Sequence, residues 1–120
     1  MATSRNERRH WPRYQAKPGI LLFNERTFAE IINISKGGAL CTYLLAHGEL
    51  YPPMRLINLL DTKTRTCFSA IPCVDLNYHE PGTDRPLAIF RKTRLKFIPT
   101  NETFRHDLHR FIEAIIADPV

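Results

Sequence analysis

Toward the C-terminal end, Phe104, Leu108, Phe111, Ile112, Ile115 and Ile116 recur at three- and four-residue intervals. That period belongs to an amphipathic helix. The spacing predicts a helix over residues 102–117, with Thr100 or Asn101 as its N-cap. A helix with one apolar stripe must bury that stripe against another element. Only short strand-like runs precede it, so the helix is expected to close one opening or one side of a β-structure.

Those runs begin at Gly19. Residues 20–24 form a short apolar stretch, and residues 27–33 are richer in β-branched side chains. The latter lead into Ser35-Lys36-Gly37-Gly38, after which residues 39–44 resume as a partner strand. Here the glycine pair is expected to supply the positive φ angles that tight hairpins favour. Residues 55–60 and 66–76 are joined by Asp61-Thr62-Lys63, which reads as a hairpin connection. Pro72 predicts a bend, a bulge or an edge position in the longer run. A loop is expected over residues 80–84, and residues 87–91 and 93–98 supply the final strand or strands. Several short strands at regular spacing point to a β-barrel or sandwich. With 120 residues, 43% of them hydrophobic, the chain has material for one domain and one core.

Three cysteines, Cys41, Cys67 and Cys73, are odd in number and have no Cys-x-x-Cys spacing. They argue against a disulfide framework or a zinc site and for a reducing compartment, with Cys67 and Cys73 expected in or near the core. The charged N-terminus does not read as a signal peptide, and no run approaches the roughly 18 apolar residues of a membrane span. A cytoplasmic chain without membrane insertion is the expectation. Charge is concentrated. Residues 1–17 hold Arg5, Arg8, Arg9, Arg13 and Lys17 against Glu7 alone, a net +4 of the chain's +5. Pro12 and Pro18 discourage regular structure there. Residues 1–17 are therefore expected to be a flexible arm, and residues 18–120 the barrel with its helix. A basic arm on a nearly neutral body points to an anionic partner and away from a broadly basic nucleic-acid surface.

Two clusters carry the chemistry. The first is Arg8-Arg9-His10-Trp11-Pro12-Arg13. Arginine presents a planar fork of donors that pairs with phosphate, grips the O6/N7 edge of guanine, or stacks on a base. The plainer reading is a solvated basic terminus. The second is Asn33-Ile34-Ser35-Lys36-Gly37-Gly38, in which Asn33 and Ser35 alternate and share a face. Its plainer reading is a turn whose Asn and Ser side chains bond their own backbone. Trp11 either stacks on a base or packs the arm onto the barrel. His106 and His109 sit three apart on the expected helix, but no third metal ligand accompanies them. Asp61, Asp75, Asp84 and Asp107 are scattered, and no catalytic triad, carboxylate pair or phosphate loop is present, so no catalytic residue is assigned and an enzyme is not expected.

Taken together, Arg9-x-x-x-Arg13 before the first strand and Asn33-x-Ser35-x-x-Gly38 after the second resemble the PilZ domain, a bacterial receptor module for cyclic di-GMP. Gly37-Gly38-Ala39, a late strand ending Leu95-Lys96-Phe97-Ile98 and the terminal helix extend the resemblance over nearly the whole chain. It implies a mostly β fold, a six-stranded antiparallel barrel with a C-terminal helix. It implies that Arg9 and Arg13 contact phosphates and guanine edges, that Asn33 and Ser35 meet a guanine, and that Gly37 and Gly38 belong to the same site. Arg8, preceding the arginine motif, implies a stacked pair of ligands. No other cofactor is implied. The signal would pass to an unidentified partner protein through ordering of the arm. Position 33 is Asn where Asp is commoner, and Arg94-Leu95 stand where the late strand often carries Gly. The rival expectation is a small barrel that binds single-stranded nucleic acid through the arm and stacks bases on barrel aromatics.

Overall fold

The computed structural model describes residues 11–46, 53–76 and 88–120, and among these described residues eight antiparallel strands follow one another before and after a single helix. Arg8, Arg9 and the loop expected over residues 80–84 lie outside the described residues. The strands are β1 (Tyr14–Ala16), β2 (Ile20–Phe23), β3 (Phe28–Ser35), β4 (Gly38–Ala46), β5 (Leu56–Asp61), β6 (Thr66–Asp75), β7 (Ala88–Phe97) and β8 (Ile116–Pro119). The helix α1 spans Glu102–Ile115 and lies between β7 and β8.

Strand order β2-β5-β6-β7-β4-β3, with β3 returning to β2, closes a six-stranded antiparallel barrel. Closure removes the free edges that an open sheet would expose. The expected final strand or strands form one, β7, which pairs with β4 from Gly38↔Lys96 to Ala46↔Ala88. The irregularity anticipated at Pro72 falls just before it. Between Ile57 and Leu59 the facing residues step from Ile71 to Phe68, so Ser69 and Ala70 form the bulge. Ala70 takes a positive φ of 58° and its N–H donates to Asn58 Oδ1 at 2.9 Å.

Alternation along the strands sends Leu22, Ile34, Ile57, Leu59, Ile71 and Leu95 inward, each at most 1% exposed. Leu108, Ile112 and Ile115 of α1 enter the same core. Each of these fully buried side chains contributes about 1.5–3 kcal/mol of burial. Phe68 meets Phe104 and Phe111 with ring centroids 5.3 and 5.7 Å apart, pinning the helix to β6. Asn101 is the N-cap, its side chain accepting from Phe104 N at 2.8 Å.

Two expectations are corrected at the ends. The helix stops at Ile115 rather than residue 117, because Ile116 turns extended and residues 116–119 become a strand. Pro119 cannot donate within a continuing helix, and β1 offers an edge that β8 joins at Ala16↔Ile116 and Tyr14↔Pro119. The arm, expected through residue 17, is structured from Trp11 onward. Tyr14 pairs with Ile34 of β3, Lys17 N donates to Ile115 O at 2.7 Å, and Val120 N donates to Arg13 O at 3.0 Å. Pro12 and Pro18 flank this strand instead of preventing it.

Candidate ligand groove

Sequence-distant residues converge where the outer face of β3, β4 and β7 meets one edge of α1. An open groove of about 1570 Å³ is lined by Trp11, Arg13, Asn33, Ser35, Gly37 and Gly38 from the two motifs. Every candidate ligand-binding residue that the structure describes is therefore in one place. Opposite them stand Arg94 and Lys96 of β7 and Glu102, Arg105 and His109 of α1. Arg13, Lys36, Arg94, Lys96 and Arg105 face the space against Glu102 alone. The positive charge is thus not confined to the arm, and such a concave, predominantly positive surface focuses an attractive field on anions.

The strand wall owes its shape to a bulge. Pairing steps from Ile31↔Cys41 to Asn33↔Leu40, leaving Ile32 as the extra residue on β3. Asn33 follows directly, only 8% exposed but lining the groove. Ser35 Oγ accepts from Gly37 N at 3.1 Å, so the Ser35 part of the turn reading is realised alongside its place in the groove. The expected positive φ at Gly37 and Gly38 is not found; among the described glycines only Gly19 has one, at 89°. Close approach explains the pair instead. A Cβ on Gly38 would run into the Leu95 carbonyl oxygen, and one on Gly37 would lie 2.7 Å from Trp11 Cδ1.

Trp11 packs onto the barrel. Its ring meets His109 edge-on at 5.2 Å, and Lys36 Nζ lies 5.9 Å from its centroid. Lys36 also bonds Glu113 Oε2 at 2.7 Å, and that hydrogen bond, with the lysine's charge, holds the Glu113 carboxyl below its usual range. Burial, then the charges of Lys36 and Arg105, push the His109 imidazole below its usual range, with Glu113 opposing them.

Lys36, Arg94, Lys96, Arg105 and His109 were not assigned to a site from sequence. The signal for the β7 pair was present in its i, i+2 spacing, the same alternation that links Asn33 and Ser35. Among the described residues no group of three or more His, Cys, Asp or Glu side chains is arranged to hold a metal. Cys67 is exposed, against expectation, because it falls on the outward side of β6, while Cys41 and Cys73 are buried. Burial, reinforced by the charge of Asp75, pushes the Cys41 thiol up to about 12 and that of Cys73 to about 11. Both remain protonated and unreactive at neutral pH. Asp75 has a structural role, accepting from Thr93 Oγ1 and from Met54 N at 3.3 Å. Asp61 accepts from Lys63 N and Thr64 N in its turn, at 3.0 and 3.3 Å. Among the described residues no helix is long and apolar enough to cross a membrane.

Comparison with protein-family models, curated proteins and solved structures finds no match to this chain.

Proposed function

We propose that this chain is a non-enzymatic receptor for cyclic di-GMP, as its resemblance to PilZ domains implies. The observation that supports the reading is convergence. Arg13 reaches the same groove as Asn33, Ser35, Gly37 and Gly38, although some twenty residues separate the two motifs. Arg9 precedes Trp11 by two residues, and a two-residue span covers at most about 7 Å, so the arginine pair can serve one ligand. Cationic side chains from the segment before β1, the turn between β3 and β4, strand β7 and helix α1 suit a ligand with two phosphates. The Asn33 amide offers both an acceptor and donors to a guanine edge. In this reading the dinucleotide draws Arg8 and Arg9 across the groove. The new surface, part protein and part nucleotide, is then presented to a partner protein.

Calorimetric titration with cyclic di-GMP, beside GTP and a mixed single-stranded oligonucleotide, tests this. Saturable binding of cyclic di-GMP alone is expected. Base-independent oligonucleotide binding with steep salt dependence would replace the reading with a nucleic-acid barrel. Arg9→Ala and Arg13→Ala should each remove about 1–3 kcal/mol of binding, or roughly ten- to a hundred-fold in affinity. Thermal stability should stay near the parent's, since neither truncation opens a cavity in the core. Parent-like affinity in either variant would void the role given to that arginine.

A further inference from the structure

Gly37 and Trp11 fit one another in a way that contact with a ligand does not require. A Cβ at position 37 would stand 2.7 Å from Trp11 Cδ1 and 3.4 Å from Nε1, so the indole rests directly on the turn backbone. His109 meets the ring from α1 at 5.2 Å, and Lys36, tethered by Glu113, lies above it at 5.9 Å. One side chain thereby joins the turn between β3 and β4, the helix, and the segment before β1. It sits midway between the two arginines of the Arg-x-x-x-Arg motif, two residues from each.

We propose that Trp11 is a positioning residue, which docks the arginine-bearing segment at the groove before any ligand arrives. The inference rests on the receptor reading above and changes its mechanism. Ordering a chain segment carries an entropic penalty for each residue fixed. A contact made in the unliganded protein shifts that penalty from binding to folding, and so strengthens binding without touching the ligand. Gly37 then matters because it leaves the indole its seat.

Trp11 is the chain's single tryptophan, so tryptophan emission reports the seating of this one side chain. In the full-length ligand-free protein, Gly37→Ala should shift emission to the red and raise acrylamide quenching, with thermal unfolding close to the parent's. Cyclic di-GMP affinity should fall about ten-fold in Gly37→Ala and in Trp11→Ala alike, and the double variant should bind no more weakly than either, as expected when two residues act through one contact. Trp11→Phe, which keeps an aromatic ring on the seat, should restore most of the affinity. Unchanged emission in Gly37→Ala would overturn the docking. Additive losses would overturn the positioning role, because each residue would then meet the ligand independently, and parent-like affinity in Trp11→Ala would overturn it as well. A parent that binds no cyclic di-GMP would remove the receptor reading and this role with it, whatever the emission shows.

Discussion

Adding one methyl group at Gly38 probes the tightest approach at any of the described glycines. Gly38 opens β4 opposite Lys96 of β7. A Cβ there would overlap the Leu95 carbonyl oxygen and lie 3.2 Å from Leu95 C and 3.3 Å from Lys96 Cα. All three obstructing atoms are backbone, so no rotamer change relieves them. Strand β7 would have to retreat by roughly 1 Å to recover ordinary contact distances. Overpacking of this kind costs about 1–3 kcal/mol. The neighbouring bond from Phe97 N to Gly37 O, 2.9 Å long, is strained by the same movement, and its loss adds about 0.5–1.5 kcal/mol. Gly38→Ala should therefore lose about 1.5–4.5 kcal/mol, equivalent to a Tm lower by roughly 6–18 °C at this chain length. Urea unfolding followed by circular dichroism measures it, with an unchanged m-value showing that the denatured state is unaltered. Gly37→Ala is the internal control, since the atom in its way is the movable Trp11 side chain. A Gly38→Ala protein within about 0.5 kcal/mol of the parent, the range of an ordinary surface change, would refute the close-approach argument.

Three further outcomes are expected. Calorimetry should give two cyclic di-GMP molecules per chain if Arg8 acts as the PilZ resemblance implies, its added charge offsetting the repulsion among four phosphates; Arg8→Leu should lower the ratio toward one, and a ratio of one in the parent would end the pair model. Asn33→Ala and Ser35→Ala should each weaken binding by about 0.5–1.5 kcal/mol, less than the arginine variants, and a well-folded double variant with parent affinity would reduce the motif to a turn. The folded-state pKa of His109 is lowered by burial and then by Lys36 and Arg105, so its contribution to stability is complete above the unfolded value of about 6.5 and declines as pH falls below it. His109→Gln should flatten the fall in stability between pH 7 and 5 in chemical unfolding, and an identical profile in parent and variant would show the imidazole to be uncoupled.

The helix was legible because six apolar residues keep one period, but the same regularity concealed its end. Ile115 and Ile116 continue the stripe in sequence, while the chain turns extended between them to meet β1. Strand β1 is only three residues long between two prolines, and it exists through partners that local composition does not reveal. The motif residues from Arg13 to Gly38 read as a site because their chemistry is distinctive. Arg94, Lys96 and Arg105 read as ordinary surface cations until pairing of β4 with β7 and docking of α1 bring them to the groove. Gly37 and Gly38 announce a need for glycine without its cause. That cause is Trp11 for one and Leu95 for the other, which lies far along the chain.

Strands β1 and β8 pair across about a hundred residues of sequence, and contacts that close so long a loop tend to form late in folding. The other partner of β1 is β3, joined to it at the single position Tyr14↔Ile34. Strand β8, delivered by α1, supplies the second of the two strands that β1 pairs with. The wall carrying Trp11 and Arg13 is thus complete only once α1 has docked, and its amides should be among the first to exchange under mild denaturant. Proteolytic removal of residues 116–120 should then leave the six-stranded barrel standing and the arginine-bearing segment held by β3 and the Trp11 seat without β8, a change that loosens one wall of the groove without unfolding the protein.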